Sequence, residues 1–235
     1  MNAPTDSADH RPVVLKDEPA TTVVVLGSGD GAIVRKTYRN RGLRWLQSLW
    51  RRSRAQREHD HLAALRAAGL PCLEPLAWSE RRRWLAVDES TLQTRFVPAS
   101  RSLKQVLAAL PPGQHRVRVE LASAMGRLLG ALHRAGFLWC TPVPRNVLVV
   151  GDPATAKLLV IDTPAAVAFR RSLHGKALAR IDLYLTAFSA SRRTDWSRSE
   201  RLRLLLGYCE GGRVLARSLW RTLARRSRLR NVVER

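Results

Sequence analysis

Two short runs, the valine-rich residues 22–27 and the β-branched and aromatic residues of 31–38, predict a pair of β-strands near the start of the chain. The residues between them, Gly27-Ser-Gly-Asp-Gly31, are free to take positive φ and so predict a hairpin turn. Residues 44–68 follow as a basic helical stretch that Gly69-Leu-Pro71 stops. Leu62, Leu65 and Ala68 give it an apolar stripe, and Arg51, Arg52, Arg54 and Arg57 load the other surface. Two further strands are predicted at 73–78 and 83–88, then a linker at 94–100 and a helix at 103–110. Pro111-Pro-Gly113 breaks the chain before a long helix over 116–135, whose Leu121, Met125, Leu128, Leu129 and Leu132 recur at helical spacing and mark its core face. Strands at 147–150 and 158–161 lead into a remainder that reads as helical. Strands first and helices afterwards predict an α+β chain of two unequal lobes. A mobile leader at 1–21 precedes a β-rich lobe at 22–97 and a helical lobe at 98–235 with a basic C-terminal helix.

Charge changes this picture more than any other bulk property. Lysine and arginine number 41 against 19 aspartate and glutamate, a formal net charge of +22, which calls for a polyanionic partner. Nucleic acid, an anionic lipid surface and a phosphorylated glycolipid all satisfy that demand, because long-range attraction is blind to sequence. The chain carries no compact nucleic-acid-binding motif. Trp45, Leu46, Leu49 and Trp50 interleave with the arginines of the basic stretch, as in segments that lie on anionic membranes. The same tryptophans could equally be lobe core beneath a solvated arginine face. No apolar stretch reaches the roughly 20 residues that cross a bilayer, and the start lacks a secretory signal. The expected location is cytoplasmic, with peripheral contact at the inner membrane as the extension. Cys72, Cys140 and Cys209 fit no metal-binding spacing and read as free thiols.

The chemistry-bearing residues fall in a fixed order. Lys36 lies near the end of a strand after the glycine turn, and Glu58 follows 22 residues later on a helix. Leu132-His-Arg-Ala-Gly136 approaches a loop that ends in Asn146-Val-Leu-Val149, and Val160-Ile-Asp162 closes a second apolar strand. In protein kinases a strand lysine contacts nucleotide phosphates and is held by a helix glutamate, while a loop asparagine and a later aspartate hold Mg²⁺. With these motifs, over about residues 22–210, the sequence resembles the bacterial lipopolysaccharide core kinases. Those enzymes phosphorylate heptose or Kdo sugars and share the protein-kinase fold.

The resemblance implies a two-lobed kinase-like fold with ATP and Mg²⁺ as cofactors and a lipopolysaccharide core or other anionic glycolipid as partner. Gly27, Gly29, Gly31, Lys36 and Glu58 would form the nucleotide side, and Asn146 and Asp162 the metal side. It also implies that residues 180–185, with Asp182, form a family helix, for which simple packing is the expected role.

Departures concentrate where the chemistry should occur. Five residues before Asn146, where the pattern has the catalytic aspartate, stands Thr141, and Trp139 replaces the loop histidine. Pro142 and Pro144 stiffen the interval, Arg95 stands where the linker is usually acidic, and Thr163-Pro164 follow the metal aspartate. A threonine hydroxyl does not titrate near neutrality and cannot take a proton as a carboxylate does. The expected function is a binding or regulatory pseudokinase in envelope glycolipid assembly. An active sugar kinase with a relocated base and a basic nucleic-acid-binding module stand as alternatives. Asp152, the nearest later carboxylate, is expected to serve a turn.

Overall fold

The computed structural model describes residues 12–155, 157–163, 167–168, 173–187 and 196–233. They divide into two units, the first made of the described residues 12–60 and 74–98. Its strands are β1 (Val13–Glu18), β2 (Thr21–Leu26), β3 (Ile33–Arg39), β4 (Pro75–Arg83) and β5 (Ala86–Arg95). They form one antiparallel sheet in the order β1-β2-β3-β5-β4. Strand β1 corrects the expected mobile leader. Its Val-Val-Leu run pairs with β2, Val13 against Val25 and Glu18 against Thr21, as an exposed edge strand; residues 1–11 lie outside those described.

The single helix expected at 44–68 is interrupted. Helix α1 (Leu43–Gln47) and helix α2 (Arg54–Ala67) are separated by residues 48–53. Two serines cause the break by offering backbone groups a partner other than the helix. The Ser48 hydroxyl donates to the Trp45 carbonyl at 2.6 Å and accepts from the Val87 amide at 2.7 Å. Ser53 accepts from the Gln56 amide at 3.2 Å, which caps the new start. Strands β4 and β5 run longer than expected and meet in a two-residue turn, Trp84-Leu85, that carries no glycine or asparagine to announce it.

The second unit comprises residues 61–73 and the described residues from 99 onward. Residues 61–73 were expected in the first lobe, and their hydrogen bonds explain the reassignment. The Leu73 amide donates to the Val160 carbonyl, the Val160 amide to the Pro71 carbonyl, and His61 Nδ1 lies 2.6 Å from the Thr163 carbonyl. Strands β6 (Ser100–Ser102), β8 (Val147–Val150) and β9 (Lys157–Val160) form a small sheet in the order β6-β8-β9, and β7 (Phe137–Leu138) pairs with β10 (Val167–Ala168). Helices α3 (Leu103–Ala109), α4 (His115–Arg134), α5 (Leu173–Ala187), α6 (Arg198–Tyr208) and α7 (Arg213–Val233) supply the rest. Reciprocal serine capping boxes start two of them, Ser102 with Gln105 on α3 and Ser197 with Glu200 on α6.

The expected core residues Leu121, Met125, Leu128, Leu129 and Leu132 are buried along α4, as are Leu62 and Leu65 on α2. Ala68 lies beyond the helix end and is exposed. Helix α4 crosses α6 at backbone contact. A Cβ on Gly126 would stand 2.0 Å from the Leu204 carbonyl oxygen, and one on Gly207 would stand 2.2 Å from that of Ser123. No helix of the described residues is long and apolar enough to cross a membrane.

Candidate nucleotide site and catalytic loop

Lys36 sits on β3, opposite Val23 on β2 and Leu92 on β5. Its ammonium donates to Glu58 Oε1 at 2.7 Å, and Glu58, on α2, is fully buried. The Tyr38 hydroxyl, two residues along the same face of β3, donates to the other carboxylate oxygen. Arg54 stacks its guanidinium 4.4 Å over the Tyr38 ring. A buried carboxylate needs this much satisfaction, since its desolvation is offset only by a full set of partners. The pairing fixes one lysine, mostly covered but with 13% of its side chain still exposed.

The glycine turn preceding β3 forms a short 3-10 segment, Gly29–Gly31, with the Ala32 amide donating to the Gly29 carbonyl. Gly27 and Gly29 adopt φ of 78° and 63°. Arg95, the unexpected cation at the end of β5, pairs with Glu74 at 2.9 Å and donates to the Asp30 carbonyl of this turn at 3.3 Å.

In the second unit, the chain leaves α4 through Gly136 and enters the loop by β7. Asp182, buried on α5, collects the loop's backbone. Its carboxylate accepts from the Trp139 amide at 2.7 Å and from the Cys140 amide at 3.0 Å, and it lies 3.4 Å from His133 Nε2. Cys140 holds φ at 63°, a left-handed conformation that a cysteine keeps only where its surroundings fix it. The buried Trp139 indole donates through Nε1 to the Asp162 carbonyl at 2.8 Å. The Asn146 side-chain amide donates to the Thr141 carbonyl at 3.1 Å, so Oδ1 is the atom it has left for a cation. The Ile161 amide donates to the Asn146 carbonyl at 3.1 Å, one step beyond the Val147–Val160 pair of β8 and β9. Strand pairing therefore brings Asn146 beside the Ile161-Asp162 step. The Thr141 hydroxyl is buried and has no hydrogen-bond partner among the described residues.

The model of the lipopolysaccharide kinase (Kdo/WaaP) family matches residues 23–208. The chain belongs to that family. Among solved structures it is similar to one titled "WaaP in complex with acyl carrier protein", at 20% identity and a TM-score of 0.63. The match covers 92% of this chain and 87% of that one, and it bears out the expected α+β, kinase-like fold. No curated protein matches the chain.

For a member of a kinase family, ATP- and Mg²⁺-dependent phosphotransfer is the general chemistry. The residues here are of a kind that suits the ion. Mg²⁺ is bound through one or two protein oxygens plus phosphates rather than in an all-protein cage. An asparagine Oδ1 and an aspartate meet that description, and the described residues contain no cluster of three or more His, Cys, Asp or Glu that would make a closed cage. Lys36 and Glu58 lie in the first unit; Thr141, Asn146 and Asp162 lie in the second.

Three features escaped the sequence reading. Asp182 is not a mere packing residue, because it holds two consecutive loop amides. The signal was a lone carboxylate in the apolar run Ile181-Asp-Leu-Tyr184. Trp139 looked like a loss, yet its indole N–H ties the loop to the aspartate strand, as a ring N–H of the missing histidine could. Tyr38 gave no signal beyond alternating with Lys36. Asp152 behaves as expected, its carboxylate accepting from the Ala154 amide at 2.8 Å in an Asx turn. Cys140 is not an activated thiol, since burial and then the Asp182 charge push its pKa up. Pro164 lies outside the described residues.

Replacing Asp182 by alanine leaves the Trp139 and Cys140 amides without their acceptor, at a cost of about 1–3 kcal/mol for each one that stays dry. The expected outcome is a lower melting temperature and faster hydrogen exchange at those two amides. Exchange rates unchanged at both positions would show that the carboxylate does not hold the loop.

Proposed function

We propose that this lipopolysaccharide kinase family member binds nucleotide through Lys36 and Mg²⁺ through Asn146 and Asp162, but transfers little phosphate on its own. Its role on this reading is binding or regulation in envelope glycolipid assembly. The observation that carries the proposal is the contrast within the loop. Trp139, Cys140 and Asn146 are each held by specific hydrogen bonds, while the one side chain that should take a proton is a hydroxyl.

Lys36, held by Glu58, would meet the nucleotide phosphates near the glycine turn. Asn146 and Asp162 would hold the ion, which when bound would supply positive charge to neutralise phosphate. The Thr141 hydroxyl is buried, and a hydroxyl of any exposure cannot keep the proton of an acceptor sugar. Loss of general-base help costs about 10²- to 10⁴-fold in rate.

A second reading, a slow but genuine sugar kinase, is favoured by the same intact frame, since phosphoryl transfer depends largely on positioning. Acyl carrier protein, present in the similar solved structure, is a protein partner to test beside lipopolysaccharide core.

The experiment is calorimetric titration of ATP with and without Mg²⁺, run beside a transfer assay on core acceptors. Lys36→Ala should weaken ATP binding, and Asp162→Ala should abolish its Mg²⁺-dependent part. Equal affinity in wild type and Lys36→Ala would remove the proposed phosphate contact. Binding that ignores both Mg²⁺ and Asp162→Ala would remove the metal assignment.

A further inference from the structure

One end of the first unit breaks two rules of economy at once. Of the seven tryptophans only two stand exposed, Trp50 at 81% and Trp84 at 80%. Trp84 and Leu85 form the two-residue β4–β5 turn between the paired Arg83 and Ala86, and both hold positive φ, 52° and 66°. Such turns favour Asn-Gly, because bulky L-residues are strained there. Packing does not explain the choice, since Leu85 is also 79% exposed. A strained, solvent-facing Trp-Leu pair costs the fold stability and returns it no burial.

The α1 segment carries a second apolar group at the same end. Leu43, Leu46 and Trp50 are all exposed. The two segments are laced together: the Val87 amide donates to the Ser48 hydroxyl at 2.7 Å, the Asn40 amide to the Asp88 carbonyl at 2.9 Å, and Asn40 Nδ2 to the Val87 carbonyl at 3.0 Å. Ser48 is two residues from Trp50, and Val87 is two from Leu85.

Charge surrounds the apolar side chains. Arg81 and Arg82 answer to Asp88 and Glu80, but Arg41, Arg44, Arg51 and Arg83 have no carboxylate at ion-pair distance among the described residues. Arg39, Arg41 and Arg44 also line a shallow hollow of about 420 Å³ together with Pro19, Ala20 and Leu43. Aromatic and aliphatic tips ringed by uncompensated guanidinium groups match an anionic lipid interface, where tryptophan sits at the headgroup level and arginine meets phosphate.

We propose that this end of the first unit is a docking surface for an anionic bilayer. Trp84, Leu85, Leu43, Leu46 and Trp50 enter the headgroup boundary, and the free arginines contact lipid phosphates. The proposal is independent of the nucleotide and metal assignments.

The test is flotation of the full chain with phosphatidylcholine vesicles, with and without phosphatidylglycerol. Wild type is expected to float only with the anionic vesicles, and vesicles of brominated lipid should quench its tryptophan fluorescence. The decisive variant combines Trp84→Asn with Leu85→Gly. It installs the preferred turn sequence, so it should hold or raise the melting temperature while weakening vesicle retention roughly tenfold through lost apolar insertion. Changing Arg41, Arg44, Arg51 and Arg83 to glutamine should weaken retention about fivefold per residue at low salt. Three results overturn the proposal: a wild type that does not float, a double variant that floats as wild type does, or duplex-DNA binding that falls in parallel with vesicle binding in the double variant. The last would identify a general polyanion surface instead of a lipid one.

Discussion

Thr141→Asp is expected to raise phosphate transfer to lipopolysaccharide core acceptors by up to about 10²- to 10⁴-fold over wild type, whose own transfer should be near background. The substituted residue would keep its backbone, because the Thr141 carbonyl accepts from both the Asn146 side chain and the Val143 amide, the latter at 2.8 Å. On the proposed reading only the proton acceptor is missing, so a carboxylate on a fixed backbone is the smallest change that supplies one. Misplacement by about an ångström can cost 10²-fold, and the neighbouring Pro142 is buried, so the gain will be sensitive to how the loop accommodates a larger group. The measurement is transfer of labelled phosphate from ATP, with Asp162→Ala as the control for a contaminating kinase. Robust transfer by the wild type that Asp162→Ala removes would overturn the pseudokinase reading. Another group would then be taking the proton.

Gly126→Ala is expected to have the largest effect on stability. Its methyl group would overlap the Leu204 carbonyl at 2.0 Å, and the obstacle is backbone, so no rotamer can yield. Overpacking of this kind costs about 1–3 kcal/mol and sometimes more. For a chain of this size each kcal/mol lowers the melting temperature by roughly 2–4 °C, so a fall of about 2–12 °C is expected. Gly207→Ala should behave alike, since its methyl would meet the Ser123 carbonyl from the other helix. Gly31→Ala is the control: it has open space around it and no positive φ. Equal melting temperatures for Gly126→Ala and the control would mean that α4 and α6 separate readily.

The elements most legible in the sequence were those whose signal is periodic or punctuated. Helix α4 and its core leucines followed from spacing, and β8 and β9 from short apolar runs, the first preceded by Asn146 and the second followed by Asp162. The order of Lys36, Glu58, Asn146 and Asp162 was legible because a family pattern supplied the frame. What escaped depended on partners far along the chain. The α1–α2 break needs the Val87 amide to engage Ser48, 39 residues earlier. The loop anchor needs Asp182, 43 residues after Trp139. The Trp84-Leu85 turn was invisible for the opposite reason, since its residues contradict the usual code for positive φ. Strand β1 was read as leader because its polar second half, Lys16-Asp-Glu18, hides the pairing of its valines.

Neither unit is a continuous stretch of chain, because residues 61–73 interrupt the first and belong with the second. A gene fragment ending at residue 98 would encode the whole sheet of the first unit, yet it would carry Pro71 and Leu73 without the Val160 that both hydrogen-bond. A fragment starting at 99 would make β9 without that partner segment. The two parts therefore cannot be cloned, inherited or recombined as separate modules by a single cut. On a ribosome, residues 61–73 must wait for about ninety more residues to emerge before their partner strand exists.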